Sequence, residues 1–343
     1  MNIALVPAEK VPQLFSTRIK NHHADEKVFV TSMSAQFYDN PIIQNLAKYG
    51  SSHDTFLIDY FGHWHGIRPA ISMRSEHREA RRRFQQNFLG SYIVIGPPPR
   101  INFTNSTILN RFHIKAYAVG NKVLSLGGVN CTSHSYDFID LMLDFESDKF
   151  VTYLNKFSEK NGNMRKDGVG EGFWLDDHNE VLIDYGRRNN FYGKNNKSVI
   201  LDSLLTDLEK ELESVTMSST YIPYGKLDDI LFRHVRKGHP VTFYANRPSK
   251  FYPPEHATSE KFLQRFYALK AKTPWSDKRP DKFNHLKAAI ITYPSGDRVA
   301  YVGSHNFNEL HVWAGNAEMT LRTTDNRLID QLQEFITDNL EHA

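Results

Sequence analysis

The chain has 343 residues, 40% of them hydrophobic and 24% charged, with 42 Lys and Arg against 39 Asp and Glu for a net charge of +3. That composition is ordinary for a soluble globular protein of one large or two ordinary domains, and the mild basicity only leans toward anionic partners. The single Cys131 excludes an internal disulfide and a cysteine zinc cluster.

In chain order, Lys27 to Met33 reads as a strand, Asn40 to Tyr49 as a helix and Thr55 to Tyr60 as a second strand. Arg74, Arg78, Arg81, Arg82 and Arg83, with Glu76 and Glu79 between them, have the spacing of a solvated helix face. Pro97-Pro98-Pro99 reads as a stiff connection, followed by an apolar strand from Ala116 to Val119. Phe138 to Leu143 reads as a strand with one inward acid, Asp140, and Asp148 starts a helix. Residues 161–197, rich in Gly, Asn and charge, read as the connection between two lobes, 1–160 and 198–343; only Glu180 to Tyr185 looks strand-like.

The second lobe repeats the first. Ser219 to Tyr224 reads as a strand, Lys226 to Lys237 as a helix and Val241 to Ala245 as a strand, while Phe251 to Pro254 carry no assigned role. Ala288 to Ile291 is again an apolar strand, and Tyr293 to Arg298 has the residues of a hairpin turn. Asn316 to Leu321 parallels Phe138 to Leu143, with Glu318 in place of Asp140, and Asp325 starts the last helix. Gly50 and Gly238 close equivalent helices, where a left-handed cap is expected. Strand–helix alternation twice over predicts an α/β protein of two tandem lobes, each a mixed sheet flanked by helices.

The repeat centres on two phrases. Of sixteen histidines, only His113 and His285 are followed two places on by lysine, Lys115 and Lys287. Gly127-Gly128-Val129-Asn130 follows the first and Gly303-Ser304-His305-Asn306 the second. On an extended strand, side chains at i and i+2 share a face, so each His and Lys enter one cavity. Lysine supplies a point charge for phosphate oxygens and asparagine a neutral donor, while two imidazoles can divide attack and protonation between them.

These phrases resemble the duplicated motif of the phospholipase D superfamily, HxK-x4-D-x6-G-[GS]-x-N, and Gly-Gly-Val-Asn is similar to the first motif of cardiolipin synthases. Gly120 and Thr292 stand where the family has aspartate, and the second copy is longer; both departures also occur in tyrosyl-DNA phosphodiesterases of the superfamily. The resemblance implies a pseudo-twofold arrangement with the active site between the lobes. It also implies a metal-free reaction without a cofactor, through a phosphohistidine on His113, with His285 as general acid. Lys115, Lys287, Asn130 and Asn306 would hold the phosphate, with Ser304, Glu318 and Asp140 in support, Glu318 as the orienting acid of the family. The expected substrate is a phospholipid, hydrolysed or transferred, with nucleic acid as the alternative. Both motifs lie in one chain, so no protein partner is needed to complete the site.

His63-Trp64-His65 has the spacing of two metal ligands, but no acid or further histidine nearby completes a cage, and a loop lining the entrance is the better reading. No apolar run approaches a membrane span, and the start Met1-Asn-Ile-Ala-Leu-Val-Pro lacks a basic region and a long apolar core. The expected location is cytoplasmic, with peripheral contact at a membrane.

Overall fold

Short apolar strands dictate where the chain can hide its backbone, and they assemble into two mixed sheets. The computed structural model describes residues 1–59, 73–95, 111–159, 170–185, 197–221, 225–246, 275–278, 282–309, 312 and 315–341. His63-Trp64-His65, Pro97-Pro98-Pro99 and Phe251 to Pro254 lie outside them. The first sheet contains β1 (Ala4–Pro7), β2 (Val28–Ser32), β3 (Thr55–Asp59), β4 (Ser91–Ile95), β5 (Ala116–Val119), β6 (Lys122–Ser125) and β7 (Leu141–Glu146), in the order β1-β7-β6-β5-β2-β3-β4. The second contains β8 (Glu171–Trp174), β9 (Asn179–Asp184), β10 (Ser214–Ser218), β11 (Val241–Tyr244), β12 (Trp275–Lys278), β13 (Ala288–Thr292), β14 (Arg298–Gly303) and β15 (Glu318–Thr323), in the order β12-β11-β10-β13-β14-β15-β9-β8. Strand for strand, β9 takes the place of β1 and β10 to β15 take those of β2 to β7. β8 adds one strand at the edge.

Helices fall in matching places: α1 (Val11–Asn21), α2 (Pro41–Tyr49), α3 (Met73–Asn87) and α4 (Asp148–Glu159) in the first half, α5 (Val199–Leu208), α6 (Lys226–Lys237) and α7 (Asn326–Ile336) in the second. Their starts follow capping chemistry. The Asn40 side chain accepts from the N–H groups of Ile42 and Ile43, and Asp325 accepts from that of Arg327.

Period-2 alternation places the core in three layers. Phe29, Ala116, Ala118 and Leu143 of the first sheet share one core with Ala288, Ile290, Ala300 and Leu321 of the second. Their neighbours Val28, Val30, Tyr117 and Met142 pack outward on α1, α2 and α3, while Ala289, Ile291, Val299 and Tyr301 pack outward on α5 and α6. The shared middle layer, with Phe150 and Leu154 of α4 and Leu328 and Leu332 of α7, joins the lobes.

Four details differ from the sequence reading. Residues 161–197 include β8 and β9, which pair with each other and, through β9, with β15, so this stretch is in part sheet. Gly50 is extended (φ −66°, ψ 150°), so only Gly238 (φ 90°) is the left-handed cap. The strand expected over Ser219 to Tyr224 lies earlier, at Ser214–Ser218, and ends where the Ser219 hydroxyl bonds to the carbonyl of Asn306. The strand expected from Phe138 begins at Leu141, because the residues before it pair with the other lobe.

Gly127 and Gly303 are needed where neighbouring strands close in: a Cβ on Gly127 would lie 1.9 Å from the Leu141 carbonyl oxygen, and one on Gly303 2.3 Å from that of Met319. Gly127→Ala should therefore lower the unfolding free energy by about 1–3 kcal/mol in urea titration. Gly296→Ala, with open space around it but φ 85°, should cost about 1 kcal/mol. Equal midpoints for wild type and Gly127→Ala would contradict the packing of β6 on β7.

Candidate active site

Two short inter-lobe bridges, one on each side of a pseudo-twofold axis, build the site. Residues preceding β5 run parallel to residues preceding β15: Phe112 pairs with Ala317, the His113 N–H donates to the Ala317 carbonyl (2.9 Å), and the Ala317 N–H donates to the Arg111 carbonyl (2.8 Å). Residues preceding β13 run parallel to those preceding β7 in the same way. Ile139 pairs with Asn284, the His285 N–H donates to the Ile139 carbonyl (2.9 Å), and the Ile139 N–H donates to that of Phe283 (3.1 Å). The bridge residues are buried, and alternation turns their neighbours to the opposite side.

Each bridge therefore sets the histidine of one lobe beside the acid of the other. His113 Nδ1 lies 2.8 Å from Glu318 Oε2, and His285 Nδ1 lies 2.6 Å from Asp140 Oδ2. Both acids orient an imidazole, although sequence reasoning gave that role chiefly to Glu318. A carboxylate at Nδ1 favours the N–H there and leaves Nε2 as the reactive nitrogen. His113 Nδ1 also lies 3.1 Å from the Ser304 carbonyl oxygen.

Ser304 supports this arrangement from behind. Its hydroxyl donates to Glu318 Oε2 (2.6 Å) and accepts from the Met319 N–H (3.0 Å). Gly128, its counterpart, has no room for a side chain: a Cβ would lie 2.3 Å from Asp140 Oδ2 and 2.9 Å from His285 Nδ1. The shorter aspartate and the absent side chain go together, as do the longer glutamate and the serine that braces it.

Lys115 and Lys287 are buried, and each ammonium donates to the carbonyl of its own motif histidine, at 2.7 Å for Lys115 to His113. An ammonium has three N–H donors, so this contact positions it and leaves two. Burial pushes Lys115 down to about 7, with Lys287 and Arg111 adding to the effect and Glu318 and Asp140 opposing it. Burial pushes Lys287 down to about 8 against the pull of Asp140 and Glu318. Burial also brings His285 down to about 4, assisted by Lys287, with Asp140 opposing. Such a cavity favours any anion that restores charge to the lysines. Asn130 and Asn306 are buried on the loops after β6 and β14, the first within reach of the Ser32 hydroxyl (3.3 Å).

Gly120 and Thr292 lie at the far ends of β5 and β13, about 16 Å along the strand from the motif lysines. Gly120 has φ 55° in the two-residue turn to β6, and Thr292 ends β13 before the Tyr293–Arg298 turn. Both positions are turn positions, remote from the imidazoles.

Arg111, two places before His113, was not singled out by sequence reasoning; it forms an ion pair with buried Asp59 (3.0 Å). Phe138 and Phe283, also missed, flank His285 at ring-centroid distances of 5.7 and 6.2 Å. Alternation outward from the motifs was the available signal for both. On α3, Arg82 and Arg83 are exposed and pair with Glu79, away from the imidazoles.

A family model described as cardiolipin synthase, PLD-like domain, matches residues 204–339. Comparison with curated protein sequences finds no match. Among solved structures, the chain resembles phosphatidylserine synthase from Haemophilus influenzae Rd KW20 with a TM-score of 0.72, over 98% of this chain and 86% of that one, at 13% identity. It resembles polyphosphate kinase from Porphyromonas gingivalis with a TM-score of 0.60 over 97% of this chain and 49% of that one, at 11% identity. Yeast tyrosyl-DNA phosphodiesterase gives 0.53 over 95% and 90%, at 9% identity. At such identities the likeness is one of fold.

The charges around His285 give three signs to test by NMR titration of the imidazole. His285 should stay neutral down to pH of about 4. Asp140→Asn, which removes a group favouring the proton, should move it lower, and Lys287→Met, which removes a group opposing it, should move it higher. Movement in the reverse directions would contradict the arrangement.

Proposed function

We propose that this chain, which belongs to the phospholipase D superfamily, is a phosphodiester hydrolase or transferase that works through a covalent phosphohistidine, with a phospholipid as substrate. The observation that carries the reading is the pair of crossed imidazole–carboxylate contacts at the head of a duplicated His-x-Lys face.

In the proposed first step, one Nε2 lone pair attacks phosphorus and the bond to the leaving alkoxide breaks. That oxygen takes the Nε2 proton of the second imidazolium. In the next step the second imidazole removes a proton from water or an alcohol, whose oxygen displaces the first histidine from phosphorus. Water completes hydrolysis; an alcohol completes transfer. Lys115, Lys287 and the amides of Asn130 and Asn306 hold the non-bridging oxygens and offset the charge that builds there.

Resemblance gives attack to His113 and proton transfer to His285. Before substrate binds, burial keeps His285 neutral. A bound phosphodiester carries negative charge that opposes the effect of Lys287 and Lys115 and raises the proton affinity of His285, as an acid requires. The similarity of Gly127-Gly128-Val129-Asn130 to cardiolipin synthases and the family model over the second lobe support a phospholipid. The argument for nucleic acid from Gly120 and Thr292 weakens, since both serve turns. Among the described residues no helix is long and apolar enough to cross a membrane.

Intact-protein mass spectrometry after a brief acid quench, with phosphatidylglycerol or a short oligonucleotide, tests the reading. The expected result is an adduct of phosphatidyl mass that is lost in His113→Ala, with turnover slowed about 10²–10⁴-fold in His285→Ala. An adduct with the oligonucleotide alone would move the protein to nucleic acid. Full activity in His113→Ala would sink the mechanism.

A further inference from the structure

The two motifs match, but the residues one step outward from them do not. By alternation, the side chain two places before each motif histidine, and two before each orienting acid, lies on the same face as the catalytic set. On the His285 side these residues are Phe283 and Phe138; on the His113 side they are Arg111 and Asn316. All four are half-buried. The hydrogen-bond registers of the two bridges make them exact counterparts, Arg111 of Phe283 and Asn316 of Phe138.

The chemistry on the two sides is opposite. Phe138 and Phe283 lie with ring centroids 4.8 Å apart, and both reach the His285 imidazole. On the other side the Arg111 N–H donates to Asn316 Oδ1 (3.1 Å), and the guanidinium, held by Asp59 at 3.0 Å, is close enough to the site to oppose the charge of Lys115. A phosphodiester has two ester arms, and with phosphorus between the imidazoles they leave the site in different directions. One arm would pass over two phenyl rings, the other over a guanidinium and an amide.

We infer that Phe138 and Phe283 against Arg111 and Asn316 select a diester with unlike arms, one apolar and one polar, and bind it in one orientation. This rests on the phosphodiesterase reading above and deepens it. A nucleic acid carries a nucleoside on each side of every phosphate, so the unlike surroundings give it no preferred direction. An amphipathic diester, with a glyceride on one side and a hydroxylated headgroup on the other, matches both. Burying two or three methylenes against the rings is enough for a preference of tenfold or more.

Three soluble diesters test this on the full chain: dihexanoylphosphatidylglycerol below its micellar concentration, its deacylated form glycerophosphoglycerol, and a thymidine dinucleotide. Wild type should show a kcat/KM for the first at least about tenfold above either of the others. Replacing the rings by their counterparts, Phe283→Arg with Phe138→Asn, should lower the ratio of the first to the second about tenfold, whereas Phe283→Leu with Phe138→Leu should keep it within about twofold. The single variants Phe138→Asn and Phe283→Asn report the same ratio should the double variant not fold. Preference for the dinucleotide, or a ratio unchanged in the folded Asn variants, would overturn the inference while leaving the chemistry intact. Turnover of none of the three, with no covalent adduct, would overturn the phosphodiesterase reading and this inference with it.

Discussion

Everything at the centre of this molecule depends on one constraint: the carboxylate that orients each histidine comes from the other lobe. Glu318 holds His113 and Asp140 holds His285 because a short parallel bridge, two backbone hydrogen bonds long, precedes each contact. Neither lobe has both members of either pair. The shared apolar layer between the sheets keeps the lobes in register, and a shift of one residue at either bridge would turn an imidazole away from its acid. Side-chain precision at the site is thus inherited from backbone hydrogen bonding.

That arrangement is costly by itself. Two ammonium groups, two carboxylates and two imidazoles are taken out of water within one cavity, and each isolated charge would oppose folding. The structure answers with specific contacts: each lysine on its histidine carbonyl, each acid on an imidazole, and Ser304 on Glu318. Burial makes Lys115 and Lys287 hold their protons weakly, against the pull of Glu318 and Asp140. A phosphate between them would add negative charge beside both ammonium groups, so the same burial that destabilises the cations favours the anion.

Much of this was legible in the sequence because duplication carries its own control. Two copies of His-x-Lys with Gly-[Gly/Ser]-x-Asn downstream identify the same face of equivalent strands, and the helix at Lys226–Lys237 and the hairpin at Tyr293–Arg298 follow from local patterns. The crossing of the acids was not legible, since spacing within one lobe says nothing about which partner a residue meets across an interface. Asp140 was undervalued for that reason. β9 was visible in Glu180 to Tyr185, but β8 was not, in a stretch dominated by Gly, Asn and charge, and the place of both in the sheet is set by the pairing of β9 with β15, far along the chain. Gly50 shows the limit of local rules: Phe88 and the Leu46 carbonyl crowd its Cβ position, and that closeness, with no need for positive φ, accounts for the glycine.

Symmetry also frames how the halves have diverged. The His, Lys and Asn of the motifs are the same in both copies, while their surroundings differ at nearly every step. Opposite Glu318 on β9 stands buried Asp184, which burial pushes up to about 7 against its hydrogen bonds to Ser198 and the first turn of α5. The corresponding place beside Asp140 is taken by Ala8. His305, buried 3.9 Å from Asp184, occupies the position of Val129. Phe283 and Phe138 surround one imidazole with apolar rings, while Arg111 and Asp59 place an ion pair near the other. An imidazole's protonation state is set by such neighbours, since burial, nearby charge and hydrogen bonding each move it. Two identical histidines in unlike surroundings are thereby suited to unlike tasks, and a reaction that needs one nucleophile and one proton donor is served by this divergence around a conserved pair of side chains.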